Sequence, residues 1–303
     1  MSAEHKLSEL RHVLADQQLP SGGWPALALS SQTVLEPTVY SILALGPGFQ
    51  KEYERARQYL LHSQNPNGSW PAFGGDDKKG SWATALALLA LRDNFEDLPF
   101  RLKGFTWLLQ CAGKESSWLW KWKFRTVDRH VRFDPEKFGW PWQPATNSWV
   151  VPTAFAILAL NQLPCSCGME HSEHFRIHRG VEMLLDRVCP MGGWNAGNGV
   201  VYGISLAPHP DDTAIALLAL KDHANEPAVI RSLEWLEVTA PTLKAPWSLA
   251  WALLGLAAYS RNVEPLRNCL ANMIEPTEIQ DIATLAVAAL ALDYQRSLTL
   301  LGN

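Results

Sequence analysis

Apolar positions along this chain fall into two alternating kinds of segment. The first kind is apolar nearly all round: six stretches end in Leu45, Leu91, Leu160, Leu220, Leu256 and Leu292, five of them in Ala-Leu and Leu256 in Gly-Leu. A segment without a polar face predicts a helix buried on every side. The second kind is amphipathic. Residues 55–64 carry apolar side chains at Tyr59, Leu60 and Leu61 and stop at Asn65-Pro66-Asn67-Gly68, where Pro and Gly together end a helix.

The buried segments share a register. Nine residues before the terminal leucines lie Glu36, Trp82, Val151, Asp211, Trp247 and Ala283, and seven before the first four lie Thr38, Thr84, Thr153 and Thr213. Self-similarity at a fixed offset means one supersecondary unit repeated, here helix, glycine-rich turn, helix. Copies one to five are read on this plan, and the sixth, residues 266–292, as the helix pair without the glycine turn. Six buried and six amphipathic helices predict an all-α fold, an (α/α)6 toroid spanning residues 1–303 as one domain, since no Gly/Ser- or Pro-rich linker separates the copies. Closure of the ring leaves no terminal repeat to cap.

Two insertions break the rhythm. In residues 117–142, Trp118, Trp120, Trp122 and Phe124 alternate with Leu119, Lys121, Lys123 and Arg125, a period of two that predicts a β-hairpin flap over about 114–146, turning near Asp128. Its basic residues Lys121, Lys123, Arg125, Arg129 and Arg132 suit either a grip on a diphosphate or a solvated strand edge. Residues 164–178 read as an irregular connector holding Cys165, Cys167, His171, His174 and His178. That spacing matches no standard zinc site, so no metal is expected.

Composition narrows the setting. A net charge of −4 with no strong basic face gives nucleic acid no electrostatic footprint. Five scattered cysteines suit a reducing compartment, and the charged N-terminus shows no signal peptide, so a cytoplasmic protein is expected. The longest apolar runs fall short of a membrane span, which leaves peripheral contact as the membrane option. Composition does not account for the 14 tryptophans.

The outer helix and its turn follow a pattern: Arg/Lys, small, two of any, aromatic, Leu, three of any, Gln, three of any, Gly, any, Trp. The second copy gives Arg55, Ala56, Tyr59, Leu60, Gln64, Gly68 and Trp70; the fourth gives Arg179, Gly180, Met183, Leu184, Val188, Gly192 and Trp194. The third reads Lys103, Gly104, Trp107, Leu108, Ala112, Ser116 and Trp118, and the first keeps Gln18, Gly22 and Trp24. This resembles the Gln-Trp repeat of the squalene cyclase and prenyltransferase superfamily, strongly over the first two thirds of the chain. The resemblance implies an α/α toroid in which the glutamine stacks on the tryptophan and ties outer helix to inner helix. It says nothing about catalysis. The Asp-x-Cys zinc pair of protein prenyltransferases does not occur in this sequence.

A second resemblance concerns chemistry. Residues 209–214 read His-Pro-Asp-Asp-Thr-Ala, similar to the Asp-x-Asp-Asp-Thr-Ala motif of class II terpenoid cyclases, whose middle aspartate protonates an alkene or epoxide. The resemblance implies Asp211 as the acid and Asp212 as its partner, with His209 standing where the motif has its first aspartate. Read without the resemblance, Asp211 is an N-cap aligned with Glu36 and Val151, followed by Asp212 where Pro37 and Pro152 fall. The shared register gathers Glu36, Asp211, Asp212 and Asp281 at one mouth of the barrel with Trp82, Trp149, Trp247 and Trp251. Carboxylates ringed by aromatics suit carbocations, and they equally suit sugars cleaved between two carboxylates. The expectation is a class II terpenoid-cyclase-like enzyme acting on an isoprenoid, with no cofactor unless a diphosphate substrate brings Mg2+. One toroid would need a short substrate, a homodimer or a partner chain to close its cavity. A carbohydrate-active barrel and a non-catalytic prenyl- or protein-binding toroid are the alternatives.

Overall fold

A computed structural model describes residues 2–73, 78–92, 94–127, 133–163 and 170–302. Its helices are α1 (Ala3–Asp16), α2 (Leu35–Ala44), α3 (Gln50–His62), α4 (Ala83–Ala90), α5 (Leu98–Gln110), α6 (Trp118–Thr126), α7 (Val150–Leu160), α8 (Glu170–Asp186), α9 (Pro210–Ala219), α10 (Pro227–Thr239), α11 (Pro246–Ala258), α12 (Glu264–Met273), α13 (Ile282–Leu292) and α14 (Tyr294–Leu301). Two two-residue ribbons, β1 (Trp24–Pro25) with β2 (Thr33–Val34) and β3 (Val200–Val201) with β4 (Ile204–Ser205), are the strands among the described residues. The fold is an all-α toroid, as the alternating segments predict.

The inner ring runs α2, α4, α7, α9, α11, α13 and back to α2, each packed on the next. The outer shell is α1, α3, α5, α8, α10 and α12. At the closure, Ala28 N–H donates to the Gln280 carbonyl and Ile282 N–H to that of Ala26. Opposite the mouth, α14 lies against α2, α11 and α13, and its Arg296 donates to the carbonyls of Leu43 and Leu45. Arg11 and Arg267 do the same for Ala44 and Leu292. Cationic side chains thus satisfy carbonyls that an ending helix leaves open. No helix among the described residues is long and apolar enough to cross a membrane.

Four tryptophans hold the two shells together. The indole N–H of Trp24, Trp70, Trp140 and Trp194 donates to the carbonyls of Leu14, Leu60, Leu108 and Leu184 on the outer helices, at 2.6, 2.7, 2.7 and 2.7 Å. Their backbone N–H groups donate to the hydroxyls of Thr38, Thr84, Thr153 and Thr213 on the inner helices at 2.8–2.9 Å. This explains why threonine recurs seven residues before the leucine. The small position of the outer-helix pattern is the seat of the preceding tryptophan. A Cβ at Gly104 would stand 2.7 Å from a Trp70 ring carbon, and one at Gly180 would stand 2.8 Å from a Trp140 ring carbon. The glutamines bond along the outer shell. Gln18 donates to the carbonyls of Gly22 and Glu52, and Gln64 to those of Gly68 and Phe100, so each ties its turn to the next outer helix.

Two expectations are corrected. The third tryptophan of the repeat is Trp140, not Trp118, which is exposed on α6; the insertion lies between the outer helix and its turn. And residues 118–126 form helix α6, not a β-hairpin. Residues two apart in sequence also generate partners four apart, and these pairs meet here as they do on helices. Trp120 packs on Phe124 at 5.9 Å, and Lys121 and Arg125 both pair with Glu136 at 2.5 and 2.9 Å. Asp128, Arg129 and Arg132 lie outside the described residues, as do Cys165 and Cys167 and the side chain of His171.

Replacing Thr84 with valine keeps the shape of the inner helix and leaves the buried Trp70 N–H unpaired. The expected loss is about 1–3 kcal/mol, read as a lower urea midpoint at unchanged m-value, whereas Thr106→Val on the exposed face of α5 leaves the midpoint unmoved.

Candidate functional site

The N-terminal ends of the six inner helices open on one mouth, and the shared register stacks two layers of side chains beneath it. The upper layer is Glu36, Trp82, Val151, Asp211, Trp247 and Ala283; one helical turn deeper come Tyr40, Leu86, Phe155, Ile215, Trp251 and Val287. In the lower layer the rings of Tyr40, Phe155 and Trp251 form a triangle with centroid separations of 6.4, 5.9 and 5.8 Å. They come from α2, α7 and α11, alternate members of the ring, so their mutual contact places them on the barrel axis. The mouth is therefore floored. Trp82 leans on Phe155 at 6.0 Å, and Trp247 touches Trp251 at 5.9 Å and Tyr40 at 6.2 Å, passing the small Ala283. The Trp251 indole N–H, fully buried in this stack, has no hydrogen-bond partner.

Asp211 is not an N-cap. His209 takes that position on α9 without a side-chain cap bond, Pro210 begins the helix, and Asp211 follows in its first turn. Likewise Val34 and Trp149 precede α2 and α7, so Glu36, Val151, Pro37 and Pro152 are all helical. Freed from capping, the Asp211 carboxylate accepts from the Trp247 indole N–H at 3.0 Å and from the Ser248 hydroxyl at 3.5 Å. Asp212 is buried and bonds His209 Nδ1 at 2.9 Å. Burial, then the neighbouring Asp211, raises the Asp212 carboxyl above the usual aspartate range, and His209 pulls it back down. Asp281 does cap its helix, accepting from the backbone N–H of Thr284 at 2.9 Å and from the Thr284 hydroxyl.

Glu36, half-buried, faces a pocket of about 190 Å³ lined also by Val34, Phe73, Trp82, Trp142 and Gln143. Burial first, and then the carboxylate of Asp281, push Glu36 up to about 7, against a smaller opposite pull from the Tyr40 hydroxyl one turn below. Trp142 stands edge-to-face on Trp82 at 4.8 Å, with Trp82 N–H donating to the Trp142 carbonyl. Trp142, Tyr40, Phe155 and Ser248 were not flagged by sequence reasoning. The second and third were findable by stepping the register down one turn from Glu36 and Val151; Trp142 belongs to a loop no repeat anticipates.

Other sequence candidates lie apart. Trp149 lines a second pocket of about 110 Å³ beside Phe124, Arg187 and Gly197. Lys121 and Arg125 are joined to Glu136, and Lys123 sits over the Trp120 ring at 4.7 Å, so α6 presents no row of cations to a diphosphate. His178 pairs with Glu182 at 3.7 Å, and His174 is exposed. Among the described residues no cluster of three or more His, Cys, Asp or Glu side chains could hold a metal ion.

No family model matches this chain, and no curated protein does. Solved structures do. The chain is similar to a protein from Actinoplanes (TM-score 0.61, 16% identity, 100% of both chains). It is similar to the type II terpene cyclase MstE from Scytonema in complex with merosterolic acid A (TM-score 0.60, 14% identity, 98% of this chain and 97% of that one). It is equally similar to the GH76 α-mannanase BT2949 from Bacteroides thetaiotaomicron (TM-score 0.62, 10% identity, 99% and 96%). At these identities the likeness shows the shared α/α toroid alone, and that fold carries both terpene cyclase and glycoside hydrolase chemistry.

The raised Glu36 fixes a pH dependence. Between about 4.5 and about 7 the folded chain holds a proton that the unfolded chain has released, so this contribution to stability is full below about 4.5 and is lost as pH rises through about 7. Glu36→Gln should remove about 2 kcal/mol of that slope, solvent at the rim screening part of the full value. Urea denaturation at pH 5 and pH 8 should show the variant gaining on the parent only at the higher pH; equal differences at both would place Glu36 in open solvent.

Proposed function

We propose that this chain is a proton-initiated cyclase of the class II terpenoid kind, acting on a short isoprenoid at the mouth of the toroid, with Asp211 as the acid. The observation carrying this reading is the direct connection of acid to aromatics: Trp247 donates to Asp211 and its ring is in contact with Trp251 and Tyr40. Proton transfer makes a C–H bond from the alkene π pair and leaves a carboxylate and a carbocation. The Trp247 indole N–H and Ser248 hydroxyl point at the oxygens where negative charge builds. The ring faces meet the positive charge, at roughly 0.5–2 kcal/mol each. A second alkene π pair then attacks the cation to form the ring C–C bond, and the proton lost from carbon beside the final cation passes to solvent, from which the Asp211 carboxylate is reprotonated.

Two features support an isoprenoid over a sugar. Four donors around Asp211, Asp212 and Asp281 are already engaged by carboxylates: Trp247 and Ser248 by Asp211, His209 by Asp212, Thr284 by Asp281. What remains for a substrate is mostly ring surface. The floor of Tyr40, Phe155 and Trp251, one helical turn below the level of Asp211, supports a short chain, since a long one has no depth to enter. A solved relative in fold, MstE, is described in complex with geranylgeranyl dihydroxybenzoate.

The test is incubation of the protein with C10 to C20 prenyl alcohols, diphosphates and aryl ethers, followed by mass spectrometry of the extracts. A cyclised product is expected, reduced about 100- to 10,000-fold in Asp211→Asn with an unchanged thermal midpoint. Reducing-sugar release from a mannan or glucan panel, with no cyclised product, would replace this reading by the carbohydrate-active one.

A further inference from the structure

The pocket at Glu36 has the construction of a cation cage. Trp82 and Trp142 stand at 84° to one another with centroids 4.8 Å apart, two walls meeting at a corner. Phe73, held beside Val34 by a β-bridge, adds a third ring, and Glu36 supplies a carboxyl group. Ser81, also in the lining, already donates to the Trp70 carbonyl. No lysine, arginine or histidine is among the described residues lining it. Two acidic groups, Glu36 and Asp281, therefore act on each other across the α2 and α13 N-termini, with no ion pair to either among the described residues.

We propose that this pocket binds a small organic ammonium cation, a tri- or tetramethylammonium head group, against the faces of Trp82, Trp142 and Phe73 with Glu36 as counter-ion. Aromatic faces attract such cations, which carry no N–H and so need no hydrogen-bond acceptor in a fixed direction. A pocket of about 190 Å³, the space of about six waters, accepts a head group of this size with the start of its attached chain. A primary amine or a guanidinium would leave donors unpaired against the rings. The inference concerns recognition and stands whether or not the toroid is a cyclase.

Glu36 links binding to pH. The groups facing it are Asp281 from α13 and Tyr40 from its own helix, and the buried Tyr40 stays neutral well above its ordinary range. A bound cation favours the Glu36 carboxylate, so affinity should rise as pH passes through about 7 and level off above it.

The experiment is calorimetric titration of the intact chain with tetramethylammonium and choline, beside 3,3-dimethylbutan-1-ol, the neutral isostere of choline. Saturable binding of both cations at pH 8 is expected, weaker by about tenfold at pH 5.5, with the alcohol failing to compete. Glu36→Gln should flatten the pH dependence, and Trp142→Leu should abolish binding while circular dichroism shows both variants folded. Binding of the alcohol as tight as choline, or cation binding indifferent to Glu36→Gln, would overturn the proposal, as would the absence of saturation at pH 8.

Discussion

Four of the six hairpins in this toroid hang on one doubly bonded side chain each, Trp24, Trp70, Trp140 and Trp194; the fifth, α10 with α11, turns through residues 240–245 without a glycine or a tryptophan. Each of these tryptophans donates through its ring to an outer helix and through its backbone to an inner one, so a single residue fixes both helices of a repeat. Because the ring also fills the notch left by a small residue on the following outer helix, the same side chain sets the step from repeat to repeat. Directional bonds at both ends of a rigid indole leave little freedom in the rotation of the inner helix about its own axis. That rotation decides which residues face the mouth. Glu36 and Asp211 stand at the mouth because Thr38 and Thr213, two residues after each, are held to Trp24 and Trp194.

How far this was legible in the sequence varied with the kind of order involved. The inner helices were plain, since residues without a polar face have one place to go, and the offset from Thr to the terminal Leu holds in the first four of them. The mouth layer followed from that offset. Trp140 was missed because the repeat was read with a fixed turn length, and an insertion preserves contacts in space rather than distance along the chain. The helix at Trp118–Thr126 was read as a strand because an aromatic at every second position satisfies both periods. Only the salt partner Glu136, farther along the chain, decides between them. Asp211 was weighed as a cap by aligning prolines at one helical position, where the backbone puts Pro210 two residues ahead of the position Pro37 and Pro152 share.

The mouth divides its carboxyl groups by their surroundings. Asp211 and Asp281 are met by donors, Asp212 by a histidine, and Glu36 by rings and by another acid. Four similar groups at one rim thereby acquire different surroundings: one meets an indole N–H and a hydroxyl, one ends a helix, one holds a histidine, and one stands among rings. This is the means by which a single set of equivalent helix ends becomes an asymmetric site.

The triangle of Tyr40, Phe155 and Trp251 makes the toroid a cup rather than a pipe. A bore that is stoppered halfway has a single entrance, so whatever enters must leave by the same rim, and a long molecule can only go in end first and stop. The stopper is also the packing centre of three alternate helices. The depth of the cup cannot then be altered independently of what holds its walls: a smaller ring there would lengthen the space and loosen the staves together. A chain of this plan that came to accept longer molecules would have to move its floor by exchanging one bulky contact for another lower down, or else build upward at the rim.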